Sequence, residues 1–212
     1  MQPFVLLFMT SRSGSSMVAD IVVRHGFNWA ANTKRNPVVG RKVTYRSFEN
    51  QNVKGFMKEA FGMPLGDFVT FDDHHVNAFS ALVRGEYVLE ERNVWKGAVE
   101  FFPLWWRLHE LGVIDARPMV ILRNKREVID SVLAKRGGGR PAQQRQAEEI
   151  TDRRFDALER LAADYAFPVV LTSDIVKGDR SSLRDAFASI PYPFDEEIAS
   201  AVIDASKWEA DR

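Results

Sequence analysis

The segment PFVLLFM (residues 3–9) leads through a polar turn directly into a helix, and this arrangement constrains the fold more than any other part of the chain. A continuous apolar run of this length is typical of a strand buried on both faces of a parallel sheet. The turn TSRSGSS follows, and apolar residues at helical spacing then continue to His25, with Gly26 ending the helix. Strand followed by helix is the building unit of α/β proteins, whose ligands bind at the carboxyl ends of the strands.

The same alternation continues along the rest of the chain. It predicts one domain over residues 1–212, a three-layer α/β/α fold with a central parallel sheet. The GGGRP segment separates two predicted helices, so residues 136–141 are predicted to form a mobile loop, either a lid over the ligands or a solvated hinge. Two short helices are expected to end the chain. The other predicted strands are 93–98, 117–123 and 167–173, and the other predicted helices are 51–62, 73–84, 101–112, 127–136 and 142–164.

The composition excludes several classes of protein. Basic and acidic residues balance at 29 each, whereas a duplex-binding protein usually has a basic excess, so nucleic acid is not an expected partner. The chain has no cysteine and its four histidines form no HExxH pattern, so no metal site is expected. No apolar run approaches the ~20 residues needed to span a bilayer, and the first residues lack the features of a signal peptide. We therefore expect a soluble, cytoplasmic protein in which any anion site is a local cluster of cations.

The TSRSGSS turn is suited to binding a phosphate or sulfate group. A helix amino terminus offers N–H donors and a partial positive charge, Gly14 lets the backbone approach an anion, and Ser15 and Ser16 add hydroxyl donors. The guanidinium of Arg12 suits a pair of phosphate or sulfate oxygens. The nucleoside-triphosphate loop GxxxxGK[ST] is not matched, because Ser15 occupies the lysine position and Met9 the first glycine position. A serine-capped turn with a solvated arginine is the alternative interpretation.

A second polar turn follows the predicted strand RPMVILR. Arg123 ends this strand, and Ser131 lies eight positions later in the next helix. Together the two turns resemble the nucleotide-binding signatures of the sulfotransferase superfamily. TSRSGSS resembles the 5′-phosphosulfate loop, usually written [KR]SG[ST][ST], and RNKREVIDS resembles the 3′-phosphate motif RxPxxxxxS with Lys125 in place of the proline. Read without the resemblance, Arg123 is an ordinary surface ion-pair residue.

Three looser matches extend the resemblance over nearly the whole chain. YRSFEN (45–50) is similar to the FEN segment of bacterial members, and FPVVLTSDIV with SLRDAF is similar to a late strand–helix element in which Ser173 holds a tyrosine position. NVWKGA resembles the WxxKDPR strand, with Lys96 at its lysine. The aspartate, proline and arginine of that motif are replaced here by Gly97, Ala98 and Val99.

The resemblance implies a P-loop-NTPase-like sulfotransferase fold and an activity. Such enzymes move a sulfuryl group from 3′-phosphoadenosine-5′-phosphosulfate (PAPS) to a hydroxyl or amine, here of a small-molecule or glycan acceptor, without a metal. Arg12 and Lys96 would stabilise the reacting groups, and Lys96 would neutralise charge on the leaving phosphate. A water-facing edge-strand lysine is the alternative interpretation of Lys96. The residues implied to bind PAPS are Arg12, Ser13, Gly14, Ser15 and Ser16 at the 5′-phosphosulfate and Arg123 and Ser131 at the 3′-phosphate.

The acceptor must lose a proton during transfer, so a general base is expected. Glu49, the acid of the FEN segment, is the first candidate, because partial burial beside Phe48 would raise its pKa. His74 and His75 are the second candidates; they follow two aspartates at the start of a predicted helix, where acids commonly act as caps.

Two other functions are compatible with the same residues. The first is a small-molecule kinase with a degenerate phosphate loop. The second is a non-catalytic nucleotide-binding protein on the same fold, because fold alone does not fix chemistry. The loss of the aspartate–proline–arginine sequence after Lys96 favours this second alternative.

Overall fold

The computed structural model describes residues 1–29, 50–62, 66–135 and 141–210. Within these ranges strands and helices alternate along the chain, as the sequence predicts. A short 3-10 turn (Val99–Phe101) leads into the helix that begins at Phe102. The strands are β1 (Pro3–Met9), β2 (Asn93–Ala98), β3 (Asp115–Leu122) and β4 (Val169–Leu171); the helices are α1 (Ser15–Arg24), α2 (Gln51–Phe61), α3 (Asp73–Glu86), α4 (Phe102–Glu110), α5 (Lys125–Lys135), α6 (Pro141–Tyr165), α7 (Thr172–Lys177), α8 (Ser181–Ala188) and α9 (Glu196–Ala210).

The four strands form one parallel sheet in the order β2-β1-β3-β4. Met9, the last residue of β1, lies opposite Ala98 of β2 and Ile121 of β3, so these strands end at the same edge. The chain leaves β1 toward β2 on one side, and leaves β3 toward β4 on the other. The position between the carboxyl ends of β1 and β3 is therefore the topological switch point, where open α/β sheets bind ligands.

Alternate residues of β1 build the two cores that cover the sheet. Phe4, Leu6 and Phe8 pack into a core with side chains of α2, α3, α4 and α6. Val5, Leu7 and Met9 pack into the second core, with α1, α8 and α9. Because every residue of β1 is buried, the strand reads as a continuous apolar run rather than as an alternating pattern. The predicted three-layer α/β/α fold with a central parallel sheet is confirmed.

The prediction of a strand over residues 167–173 is wrong beyond Leu171. Among the described strands β4 pairs with β3 alone, and the pairing runs from Val120↔Val169 to Leu122↔Leu171, where β3 ends. Without a partner beyond this point the strand stops, and Thr172 begins α7 instead. The last helix, α9, is also longer than the short helix predicted there.

Two further predictions concern membrane-spanning helices and the domain organisation with its loop before α6. No helix among the described residues combines the length and the apolar composition needed to cross a bilayer. The organisation of residues 1–212 as one domain with a mobile loop at 136–141 stays a prediction. Pro141 is the first residue of α6, and residues 136–140 lie outside the described ranges.

Candidate functional site

The turn between β1 and α1 has an unusual backbone. Arg12 has φ 65° and Gly14 has φ 78°, both in the left-handed region that residues with a side chain rarely adopt. Holding an arginine there costs about 1–3 kcal/mol, so the surrounding structure must fix the turn. Such strained residues concentrate at ligand sites, so this turn is a candidate ligand site.

Thr172, at the start of α7, holds the turn in place. Its side chain is buried, and its hydroxyl lies 2.6 Å from the carbonyl oxygen of Ser13 and 3.1 Å from that of Leu122. A Cβ atom on Gly14 would lie 3.1 Å from both Cβ and Oγ1 of Thr172, so any other residue would crowd Thr172 as well as strain the backbone at this φ. Local sequence does not reveal this role, because Thr172 reaches Ser13 across 159 residues and belongs to a segment with the pattern of a strand.

The amino terminus of α1 faces this turn and carries groups suited to an anion. No side chain caps the helix, and its first turn contains no acidic residue. The Ser13 side chain is only 1% exposed, and its hydroxyl hydrogen-bonds to no other group in the described part of the chain. A buried hydroxyl without a partner costs about 1–3 kcal/mol, and an anion at the positive end of the helix would relieve that cost. The turn therefore has donors and a local charge that suit an anion.

Lys96 reaches the same helix start from β2. Its side chain is 5% exposed, and its ammonium donates to the Ser16 hydroxyl at 2.9 Å. Lys96 lies opposite Leu7 in the sheet, and Leu7 faces the core that contains α1, so the lysine is directed under that helix. The alternative of a water-facing lysine is wrong even though β2 is an edge strand.

Packing around Gly97 explains why the aspartate of the WxxKDPR pattern is absent. A Cβ atom at position 97 would lie 2.1 Å from the nearest atom of the Trp95 ring, which is closer than any real contact. Trp95 is itself buried and packs against Trp105, with 4.7 Å between ring centroids. Placing the indole there leaves no room for an aspartate at position 97.

The second polar turn connects β3 to α5. Asn124 caps the helix, because its Oδ1 accepts from the backbone N–H groups of Arg126 at 3.0 Å and Glu127 at 3.2 Å. Lys125, at the proline position of the 3′-phosphate motif, is the first residue of the helix, where proline would fit well. Its ammonium instead pairs with Asp152 of α6 at 2.8 Å. The helix start is thus intact without the proline.

The two turns meet at the switch point. Nε of Arg12 donates to the Ser131 hydroxyl at 2.8 Å, and Nη1 of Arg123 lies 3.5 Å from the carbonyl oxygen of Arg12. Arg123 also forms an ion pair with Glu127, with Nε 2.7 Å from Oε2. The two motifs therefore lie side by side at this edge of the sheet, although Arg12 and Ser131 are 119 positions apart.

Of the candidates for the general base, the structure describes His74 and His75, whereas Glu49 lies outside the described residues. His74 is exposed in the first turn of α3, beside His75 with 6.1 Å between ring centroids. Asp72 caps this helix, accepting from the His75 backbone N–H at 3.0 Å and lying 2.6 Å from its ring Nδ1. Hydrogen bonding to the His75 N–H lowers the pKa of Asp72, as expected for a capping carboxylate.

A buried ion pair lies next to the site and had no signal in the sequence. Glu100, in the 3-10 turn after β2, is fully buried and accepts from Nε of Arg154 at 2.6 Å and from the Gly66 N–H at 3.2 Å. Because Arg154 belongs to α6, the pair fixes that helix to the carboxyl end of β2. Its members are 54 residues apart, so spacing along the sequence could not reveal the pair.

Comparison with known proteins supports the fold. No protein-family model matches the chain, and no curated protein matches it either. Among solved structures, a sulfotransferase domain from the curacin biosynthetic pathway matches with a TM-score of 0.51 and 12% sequence identity, over 93% of this chain and 77% of that one. At this identity the likeness concerns the fold alone. The chain therefore has a sulfotransferase-like α/β fold.

Proposed function

We propose that the protein is a PAPS-dependent sulfotransferase, which transfers a sulfuryl group to a hydroxyl or amine of a small-molecule or glycan acceptor. The observation that carries the proposal is the meeting of two strand-end turns at the switch point, where Arg12 contacts Ser131 and Arg123 approaches the Arg12 backbone. A nucleotide with phosphate groups at both ends of its ribose is a ligand that uses both turns. The structural likeness to a sulfotransferase domain supports the same function.

The charges of the site are suited to such a ligand. The whole chain has a formal net charge of zero, yet two guanidinium groups, a buried ammonium and a helix amino terminus surround the first turn. Sulfuryl transfer, like phosphoryl transfer, spreads negative charge over peripheral oxygens, and fixed donors in a partly desolvated site stabilise that charge. In this arrangement Arg12 and the turn would bind the 5′-phosphosulfate, and Arg123 and Ser131 the 3′-phosphate.

In the proposed reaction Lys96 would act on the bond that breaks. Its ammonium is held at the Ser16 hydroxyl, at the start of the helix that would bind the 5′-phosphosulfate. From there it would neutralise the charge that develops on the bridging oxygen when the sulfuryl group leaves the phosphate. The proton of the acceptor would pass to a base, for which Glu49 and His74 stay the candidates.

The direct test is transfer of labelled sulfate from PAPS. The protein is incubated with ³⁵S-labelled PAPS and a pool of phenols, alcohols, amines and sugars, and labelled products are separated from PAPS. We expect transfer by the wild-type protein and less than about 1% of that rate for Arg12→Ala, because the guanidinium binds the transferred group and its loss is not compensated. The matched control is Arg24→Ala at the far end of α1, the helix that follows this turn, where the half-exposed arginine pairs with Asp20; it should keep wild-type activity.

The two alternatives predict other results. A non-catalytic nucleotide-binding protein would bind adenosine 3′,5′-bisphosphate, the product left by PAPS, but transfer no label to any acceptor. A kinase would transfer phosphate from Mg-ATP instead. Equal transfer by Arg12→Ala and by the wild-type protein would contradict the site assignment.

A further inference from the structure

Arg123 is held by a chain of hydrogen bonds that involves three elements. Its Nε donates to Oε2 of Glu127 at 2.7 Å, and the same carboxylate oxygen lies 3.4 Å from the Ser173 hydroxyl. Ser173, in the first turn of α7, accepts in turn from the backbone N–H of Asn124 at 3.0 Å. The end of β3, the start of α5 and the start of α7 thus meet around one guanidinium.

The ion pair with Glu127 occupies the Nε edge of the guanidinium. Glu127 engages Nε, while Nη1 is directed toward the carbonyl oxygen of Arg12, that is, toward the phosphate-binding turn. Glu127 itself is fixed on the backbone side, because its N–H donates to the Asn124 side chain at 3.2 Å. An arginine with more than a third of its side chain exposed would otherwise sample many rotamers.

We propose that Glu127, supported by Ser173, is a positioning residue that orients Arg123 for the phosphate on the ribose 3′ position, and so sets the preference for a bisphosphorylated nucleotide. This inference rests on the proposed function. Binding to an arginine that is already oriented loses less side-chain entropy than binding to one that must first be fixed. The preference for a 3′-phosphate would then depend on a residue that does not touch the nucleotide.

Glu127 also carries a negative charge that would repel an anionic nucleotide. The direction in which its removal changes the nucleotide affinity is therefore informative. A carboxylate close to a phosphate repels it, and its removal would tighten binding if repulsion dominated. The Glu127 side chain is 42% exposed, which screens this repulsion, and its charge is balanced by Arg123 and by Lys177 nearby. The hydrogen bond from Arg123 lowers the pKa of Glu127, so the pair stays ionised at neutral pH. Orientation should therefore outweigh repulsion.

The experiment measures, by calorimetry, the dissociation constants of adenosine 3′,5′-bisphosphate and of adenosine 5′-monophosphate for each variant. We expect Glu127→Ala to weaken bisphosphate binding about tenfold and to leave monophosphate binding within about twofold. Glu127→Gln keeps an oxygen that can accept from Nε, so it should stay within about threefold of wild type for both nucleotides. Ser173→Ala should give an intermediate loss, and Arg123→Ala, which removes the guanidinium itself, should lose more than Glu127→Ala.

The comparison with the monophosphate separates failure of this inference from failure of the proposed function. Weaker binding of both nucleotides to Glu127→Ala would show a general loss of structure and overturn the inference, as would an unchanged or stronger preference for the bisphosphate. If the wild-type protein does not prefer the bisphosphate, the proposed function fails and this inference fails with it. A wild-type preference that survives Glu127→Ala leaves the function in place and overturns the inference alone.

Discussion

Replacing Lys96 with methionine is expected to slow the proposed sulfuryl transfer about 10²–10³-fold, because it removes a fixed, buried cation from the place where we propose that the bond breaks. The side chain is 5% exposed and donates to Ser16 at the start of α1, so water cannot easily replace its charge. Methionine has a similar length and no charge, and it should fill the same space within the sheet. The loss should therefore appear in the rate of transfer, with little change in the affinity for adenosine 3′,5′-bisphosphate.

The measurement is single-turnover release of the bisphosphate from PAPS in the presence of the acceptor pool. Lys58→Met provides the control, since Lys58 is exposed in the last turn of α2, and this variant should react at the wild-type rate. Thermal melting of both variants confirms that each is folded. A Lys96→Met rate within about threefold of wild type would show that the ammonium does not act on the reacting groups.

Replacing Arg154 with leucine is expected to lower the free energy of unfolding by about 3–5 kcal/mol, because it leaves a buried carboxylate without its cation. Glu100 is fully buried, and Arg154 is the side chain that neutralises it at 2.6 Å. The Gly66 N–H alone cannot compensate the charge. The loss would also release α6 from the end of β2, next to the candidate site.

Urea unfolding followed by circular dichroism measures this effect. Arg145→Leu is the matched control: it makes the same change on the same helix at an exposed position, and should stay within about 0.5 kcal/mol of wild type. Combining Arg154→Leu with Glu100→Gln should recover part of the loss, because the neutral amide still accepts from Gly66. A change below about 1 kcal/mol for Arg154→Leu would contradict the assignment of a buried ion pair.

The sequence predicted the part of the fold that depends on local pattern. The apolar run of β1, the helical spacing after Ser15 and the glycine at position 14 are all local, and together they identify the strand, the helix and the turn. The shared edge of a parallel sheet then predicts that Arg12 and Arg123 lie near each other, as they do. The three-layer arrangement follows from the same alternation of strands and helices.

The parts that the sequence could not predict depend on partners distant along the chain. Thr172 supports Ser13 across 159 residues, and the end of β4 depends on where β3 ends. The burial of Lys96 depends on its register with Leu7, which no local pattern fixes. Gly97 departs from the motif because the Trp95 ring fills the space beside it. Each of these features requires the packed structure.

In the proposed function, the two turns form one site for a nucleotide phosphorylated at both ends of its ribose. Calorimetric titration of the wild-type protein with adenosine 3′,5′-bisphosphate, adenosine 5′-monophosphate and ATP, each with and without magnesium, tests this proposal. We expect one bisphosphate to bind per chain, at least about tenfold more tightly than the other two nucleotides and without any effect of magnesium. Magnesium-dependent binding of ATP, with the bisphosphate bound no better than the monophosphate, would contradict the claim.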